Sequence, residues 1–341
     1  MQLKACIISG IALLLCGTLT AAGHKAGKTG NSSSDVELFA DAGNKISAFT
    51  GLLPPGVKTI ACISPGFYPG APGYKKGIAM LREAGYKVKV FPNAFALPEK
   101  GKRSAALEKR LSDFYAAWND PEIDMIICIR GGWGCGEVMR NVDWSKLPRR
   151  KNLYVQGYSD VTMILCALQK RGYGHPVAGP MIGAMSGLEA AALADMKAMH
   201  NKQAVGPFPV VPLVKGDCRG LALAGLLERF VWGIKTADRP ITKDRIIFIE
   251  SVGINAAAIR KNMQILLDEK FFEGAKAVVF GYLDRSDIQD NEDVIREYAP
   301  KLGVPVYMGF HFGHRKSSRT IDYEREAVIK ENTVFFPAPE K

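Results

Sequence analysis

Asn152-Leu-Tyr-Val-Gln-Gly157-Tyr158-Ser159-Asp160-Val-Thr-Met-Ile-Leu-Cys-Ala-Leu168 reads as an extended apolar strand, a turn with one glycine, and a helix that begins at a serine. A hydroxyl placed there sits among the unpaired amide N–H groups and the positive dipole end of a helix, which stabilise an alkoxide or a nearby oxyanion. Ser159 is therefore a candidate nucleophile. The competing reading is structural: serine is a favoured N-cap, and an acid such as Asp160 suits a first helical turn in the absence of any chemistry. The pattern Gly157-x-Ser159-x-Val161 also lacks the second glycine of the hydrolase elbow.

Working back from this strand, Val57-Lys-Thr-Ile-Ala-Cys-Ile-Ser64 is a β-rich run ended by Pro65-Gly66, and Tyr74 to Ala84 carries a helical pattern closing on Gly85. Tyr86 to Phe91 alternates like a half-exposed strand, Ser104 to Trp118 reads as a helix, and Ile123 to Ile129 as a buried strand. Strands alternating with helices predict a doubly wound, parallel-sheet α/β domain over residues 55–175. Its ligands should gather beyond the carboxyl ends of the strands, where the loops Ser64 to Gly73, Arg130 to Gly136 and Gly157 to Asp160 lie.

The span 176–212, rich in glycine, proline and alanine, reads as a linker with a helix from Gly187 to His200. Residues 213–335 then give a second domain, also α/β, with strands at Asp244 to Glu250, Lys276 to Phe280 and Val304 to Tyr307 and a helix from Ala256 to Asp268.

At 341 residues, 47% hydrophobic and 23% charged, the chain has the material for two packed cores. The start differs. Lys4, an apolar run from Ala5 to Ala22 and small residues near its end predict a signal peptide over 1–23, followed by a polar segment over 24–54. An uncleaved anchor and a lipoprotein at Cys16 are the alternatives, and no other run is long enough to span a bilayer. Such a leader predicts export to the periplasm.

Beyond the leader, Cys62, Cys128, Cys135, Cys166 and Cys218 form no legible disulfide framework and are read as structural. The net charge of +11 favours acidic ligands, or is simply a solvated basic surface. Basic runs such as Lys100-Gly-Lys-Arg103 lack the interleaved aromatics of a nucleic-acid platform, so no nucleic-acid partner is expected.

A serine nucleophile needs a base and a group to orient that base. Glu250 ends a buried strand, where it is either poised over a sheet edge or merely exposed in a loop. His311 and His314 in Gly309-Phe-His-Phe-Gly-His314 supply a base, or alternatively a His-x-x-His metal pair, although no third ligand is evident. Arg130-Gly-Gly-Trp-Gly-Cys-Gly-Glu137 follows a buried strand and leaves backbone N–H groups accessible to an anion. It reads as an oxyanion hole shared with the Asp160 amide, as a dinucleotide loop of the wrong spacing, or as a tight turn with Trp133 packed over the core. Arg130 and Trp133 are candidate substrate contacts. No cofactor or metal is expected.

Taken together, Ile129-Arg-Gly-Gly-Trp-Gly134, Val142-Asp-Trp144, Gly157-Tyr-Ser-Asp-Val-Thr162, Phe248-Ile-Glu250 and Gly309 to His314 resemble the serine L,D-carboxypeptidases, a family that includes the microcin C self-immunity peptidases. The resemblance runs from about residue 57 to 330. It implies an α/β N-terminal domain, a linker and a smaller, mixed-sheet, swivelling-type C-terminal domain. It implies Ser159 as nucleophile, His314 as general base and acid, Glu250 as orienting carboxylate, and oxyanion donors at the backbone N–H of Gly132 and Asp160. The implied partner is a murein stem peptide or muropeptide that loses a terminal D-alanine, and members often form homodimers. A peptidyl-nucleotide peptidase and a catalytically idle murein-peptide binder are the alternatives. The chain departs from the family in its leader and at Leu221 to Glu228, where a polar Gly-Gly-Asn-type turn is expected and Leu-Ala-Leu-Ala-Gly225-Leu-Leu-Glu228 stands instead.

Overall fold

The computed structural model describes residues 48–70, 73–284 and 288–340. The expected leader and most of the polar segment lie outside them. Among the described residues no helix is long and apolar enough to cross a membrane.

The first half alternates as β1 (Thr59–Ile63), α1 (Gly73–Glu83), β2 (Lys87–Val90), α2 (Leu107–Asn119), β3 (Met125–Cys128), α3 (Cys135–Asn141), β4 (Tyr154–Gly157), α4 (Thr162–Arg171) and β5 (His175–Ala178). Every residue of β1 and β3 is buried, as expected of parallel strands covered by helices on both faces. β2 keeps lysines at alternate positions and forms the outer edge, where charge discourages unwanted pairing. Gly172 closes α4 in the left-handed conformation, φ 67°, a common helix stop. These strands pair in the parallel order β5-β4-β3-β1-β2, so the order reverses between β1 and β3 and opens a ligand crevice at their carboxyl ends.

The span expected as a linker is largely ordered structure. β5 is the fifth strand of the first sheet, and the helices α5 (Ile182–Met185) and α6 (Ala190–His200) bury Ile182, Met185, Leu193 and Met196 in the same core as Ile60 and Ile127. Proline and glycine hid this strand. Pro176 lacks a donor for a sheet ladder, and it is accommodated because only a two-residue strand, β12 (Ile321–Asp322), pairs beyond it. β12 comes from the far end of the chain, so residues 213–335 do not all belong to the second sheet.

The second sheet has eight strands in the order β6-β14-β13-β8-β9-β10-β11-β7. They are β6 (Val205–Pro209), β7 (Val211–Val214), β8 (Cys218–Leu226), β9 (Arg245–Val252), β10 (Ala277–Asp284), β11 (Val306–Met308), β13 (Glu326–Lys330) and β14 (Thr333–Phe336). The strands β8 to β11 run parallel and the flanking ones antiparallel, making the sheet mixed. Between them lie α7 (Leu227–Gly233), α8 (Ala256–Asp268), which Asn255 caps by accepting from the Ala258 N–H at 3.0 Å, and α9 (Ile288–Tyr298). The two halves share one apolar core, in which Met163 and Ile164 of α4 join Phe230 and Phe248. At that seam Leu226 N–H donates to Thr162 Oγ1 at 3.1 Å, tying the end of β8 to the helix that follows Ser159.

Candidate active site

Three chain segments meet at the carboxyl ends of the two sheets. Ser159 follows β4 and opens a 3-10 turn over Ser159–Val161 that runs into α4. Its backbone stands at φ 61°, a region that costs a non-glycine residue on the order of 1–3 kcal/mol and that persists only where the surroundings enforce it. Crowding around the turn is relieved at Gly157. A Cβ there would stand 2.6 Å from Val161 Cγ1, so the glycine two residues before the serine makes room for a valine two residues after it.

The glycine-rich loop after β3 lies against this turn. A Cβ on Gly131 would meet Ser159 Cβ at 3.1 Å and the Asp160 nitrogen at 3.2 Å. Gly131 C=O accepts from Phe67 N–H at 2.9 Å, which joins the loops after β1 and β3. In a trans peptide the carbonyl and amide point opposite ways, so the Gly132 N–H of that same peptide unit is directed away from Phe67. Buried Arg110 holds the loop from below, donating to the carbonyls of Pro65 at 3.1 Å and Gly134 at 3.0 Å and pairing with Glu137.

The Asp160 carboxylate faces away from the turn. It accepts from Cys135 N–H, at the start of α3, at 2.9 Å and from Arg229, whose Nη2 also donates to Gly132 C=O at 3.0 Å. Arg229 thereby clamps the serine turn to the glycine loop, and its guanidinium lies 4.6 Å from the Trp133 ring centre. Asp160 is buried and Arg229 only partly exposed, so removing the arginine leaves an uncompensated buried charge. Arg229→Ala should cost about 3 kcal/mol in urea unfolding; a loss below about 1 kcal/mol would contradict the clamp.

Glu250 lies near the end of β9, fully buried, and its Oε2 is 2.9 Å from His314 Nδ1. Its other oxygen has no hydrogen-bond partner among the described residues. Burial raises the Glu250 carboxyl above its ordinary range against the opposing hydrogen bond from His314. Burial would lower the His314 imidazole, but the hydrogen bond and charge of Glu250, with the charges of Glu228 and Asp284, outweigh it and raise the ring above its ordinary value. The ring of Tyr158, next to Ser159, packs edge-on against His314 with centroids 4.9 Å apart. His311 is exposed and stacks on Tyr282 instead.

Ser159, His314, Gly131, Gly132 and Arg130 line one cleft of about 550 Å³. Arg130 is exposed and donates from Nη1 to the carbonyls of Tyr68 and Pro69, both at 3.3 Å. Trp133 is half-exposed rather than packed over the core, and with Trp232 it borders a separate, smaller pocket. Two charged cleft residues were not singled out in the sequence, Glu228 and Arg229 at the start of α7. Their signal was a charged pair interrupting the apolar run from Leu221 to Phe230. All five described cysteines are free, four of them buried, and burial pushes the Cys62 thiol up to about 12. Among the described residues no group of three or more His, Cys, Asp or Glu side chains is placed to hold a metal ion.

A strand-ending turn that presents a hydroxyl, a buried carboxylate–imidazole pair and a glycine loop in one cleft has the parts for acyl transfer. Two family descriptions match the chain, the LD-carboxypeptidase N-terminal domain over residues 59–177 and the LD-carboxypeptidase C-terminal domain over residues 219–329. The chain belongs to the LD-carboxypeptidase family, peptidase S66, and is a serine carboxypeptidase. A murein tetrapeptide carboxypeptidase of Pseudomonas aeruginosa is 25% identical over 257 residues, covering 67% of this chain and 80% of that protein. The fold is shared with a muramoyltetrapeptide carboxypeptidase from Oxalobacter formigenes, with TM-score 0.71, 23% identity and coverage of 82% of this chain and 98% of the other. It is shared also with the microcin C7 self-immunity protein MccF in complex with aspartyl sulfamoyl adenosine, with TM-score 0.72, 16% identity and coverage of 84% and 98%.

Proposed function

We infer that this protein hydrolyses the L,D peptide bond before a terminal D-alanine in murein tetrapeptides, through a Ser159–His314–Glu250 triad and an acyl-enzyme. The observation that carries this reading is the 2.9 Å pair between Glu250 and His314, whose ring faces the same cleft as a serine held in a left-handed turn. The relative from Pseudomonas aeruginosa supports the substrate class.

Ser159 Oγ attacks the scissile carbonyl while its proton passes to His314 Nε2. Glu250, bonded to Nδ1–H, fixes the tautomer that leaves Nε2 free and stabilises the imidazolium that forms. The tetrahedral oxyanion is bound by the N–H groups of Asp160 and Gly132, each worth about 3 kcal/mol in the transition state. The C–N bond breaks as His314 returns the proton to the departing amine, leaving an ester on Ser159. Water then attacks that ester, gives a proton to His314, and the serine is regenerated. Arg130, exposed at the cleft and spending one nitrogen on backbone carbonyls, holds the substrate's terminal carboxylate.

The direct test is a panel of D-alanine-terminated stem peptides, with a peptidyl nucleotide alongside, and identification of the released groups by mass. D-alanine release is expected; cleavage of the peptidyl nucleotide alone would redirect the assignment. The base must be neutral to accept a proton, and His314 is raised above its ordinary value of about 6.5. So kcat/KM should fall as pH drops through a limb centred above about 6.5. A limb at or below that value would remove His314 from the role. The leader adds export to this reading, and cell fractionation should find the chain in the periplasm, shortened at its N-terminus.

A further inference from the structure

On the proposed mechanism the oxyanion lies between two backbone donors on separate loops, the N–H of Asp160 in the serine turn and that of Gly132 in the glycine loop. Two loops keep a fixed spacing only where something spans them, and here one side chain does. Arg229 Nε donates to Asp160 Oδ1, and Nη2 of the same guanidinium donates to Gly132 C=O at 3.0 Å. Each donor residue is therefore gripped by one rigid, planar fork. The arginine stands on the first turn of α7, in the second half of the chain, whereas both donors belong to the first half.

Gly132 needs such a grip. Its φ is 100°, and a Cβ there would stand 2.3 Å from Phe67 Cδ2, so a stiffer residue does not fit and the backbone keeps the full freedom of glycine. The peptide before it is pinned by Phe67 N–H, which donates to Gly131 C=O at 2.9 Å, and the peptide after it by Arg229. With both flanking planes held, the Gly132 N–H has one direction; without the guanidinium only the first plane is held. The Asp160 carboxylate is likewise fixed from two sides, by Cys135 N–H at 2.9 Å and by Arg229, and its own N–H follows the strained turn at Ser159, which lasts only while its surroundings enforce it. Aromatic rings cover the guanidinium: Trp133 lies 4.6 Å away, and Trp232, packed where a Cβ on Gly136 would stand 2.1 Å from it, meets Trp133 edge-on. The Arg229 side chain is left 11% exposed, and hydrogen bonds screened from water in this way are the stronger ones.

We propose that Arg229 is a positioning residue for the reaction, which sets the spacing of the Asp160 and Gly132 N–H groups and acts through those two amides. This rests on the reading of Ser159 as the nucleophile. Donors lower the barrier only when they are held where charge develops, and they bind the oxyanion far better than the ground-state carbonyl. Loosening the fork therefore costs turnover and leaves substrate binding in place. The second half of the chain then contributes to the oxyanion site as well as to the general base.

The test is Arg229→Lys, which keeps a cation beside the buried Asp160 carboxylate but replaces the fork by a point charge that cannot hold both partners. On a D-alanine-terminated tetrapeptide kcat should fall about 100-fold, with KM within about threefold of the original. A peptidyl boronic acid, whose tetrahedral adduct on Ser159 points an oxygen at the two donors, should bind more weakly by a similar factor. A merely structural role would lower the folded fraction, seen in urea unfolding, and leave the boronate Kd of the folded molecules unchanged. Asp160→Asn keeps the backbone donor and weakens the grip from its other side, so kcat should again fall at constant KM; should the lysine variant not fold, the asparagine one decides. A kcat within about threefold of the original, a loss confined to KM, or an unaltered boronate Kd would overturn the proposal. The peptidase reading itself fails on a different signal, release of D-alanine at the original rate by Ser159→Ala.

Discussion

Ser159→Ala should lower the turnover of a D-alanine-terminated tetrapeptide by a factor on the order of 10⁴ or more. On the proposed two-step route the hydroxyl forms the covalent bond to the acyl group. Without it only the binding cleft and the two oxyanion donors assist direct attack by water, and such assistance is a small remnant of a triad's effect. The fold should be unaffected to within about 1 kcal/mol, because one oxygen atom is lost and alanine meets the same positive φ that serine does. The measurement is D-alanine release, with urea unfolding of the same sample as the control. Turnover at the original rate would remove Ser159 from the chemistry.

The second large effect is expected at Glu250→Gln. The substitution keeps volume and shape at a fully buried site, so folding should survive. What changes is the hydrogen bond to His314 Nδ1, now 2.9 Å from a carboxylate oxygen. A carboxylate can only accept there, which obliges Nδ1 to carry the proton and leaves Nε2 as the base. An amide can present its NH₂ instead, which favours the opposite tautomer, and it carries no charge to stabilise the imidazolium. Loss of the orienting acid in a triad lowers kcat by about 10⁴, and a loss of that order is expected here with little change in KM. A change of less than about tenfold would mean that the 2.9 Å contact serves packing alone.

What was legible in the sequence followed from periodicity and from residues that the strand ends must present. The fully buried β1 and β3 and the alternation in β2 read directly, and the Gly157–Ser159 turn stood out because a buried strand and an apolar helix flank it. Ser159, Glu250 and the His311/His314 pair were candidates because each lies where a strand or a short connection reaches the carboxyl edge of a sheet, and the family resemblance rather than spacing singled out His314. Less legible was anything fixed by distant pairing. β12 is two residues long and joins β5 across more than 140 positions, too short a run to carry a period of its own. The strand β5 was hidden because Pro176 is normally excluded from sheet interiors, and β8 because an apolar run of alternating alanine and leucine fits strand and helix alike. Composition gave no hint of the φ of Ser159, which the packing of Gly157 on Val161 and the clamp from Arg229 impose. Glu228 and Arg229 escaped notice for a related reason. Charged residues at a helix start are commonplace, and their roles depend on which groups the opposite sheet brings near.

On the proposed mechanism a hydroxyl from the first sheet and an imidazole from beyond the second act as one unit. That coupling is read from the kcat of Ser159→Ala, His314→Ala and the double variant on the same tetrapeptide. Residues of a single catalytic unit are strongly non-additive, since removing either disables the other. The double variant should retain the same residual activity as Ser159→Ala alone. Losses that multiply, with the double variant slower than Ser159→Ala by the full factor of the histidine change, would show that the two side chains act independently.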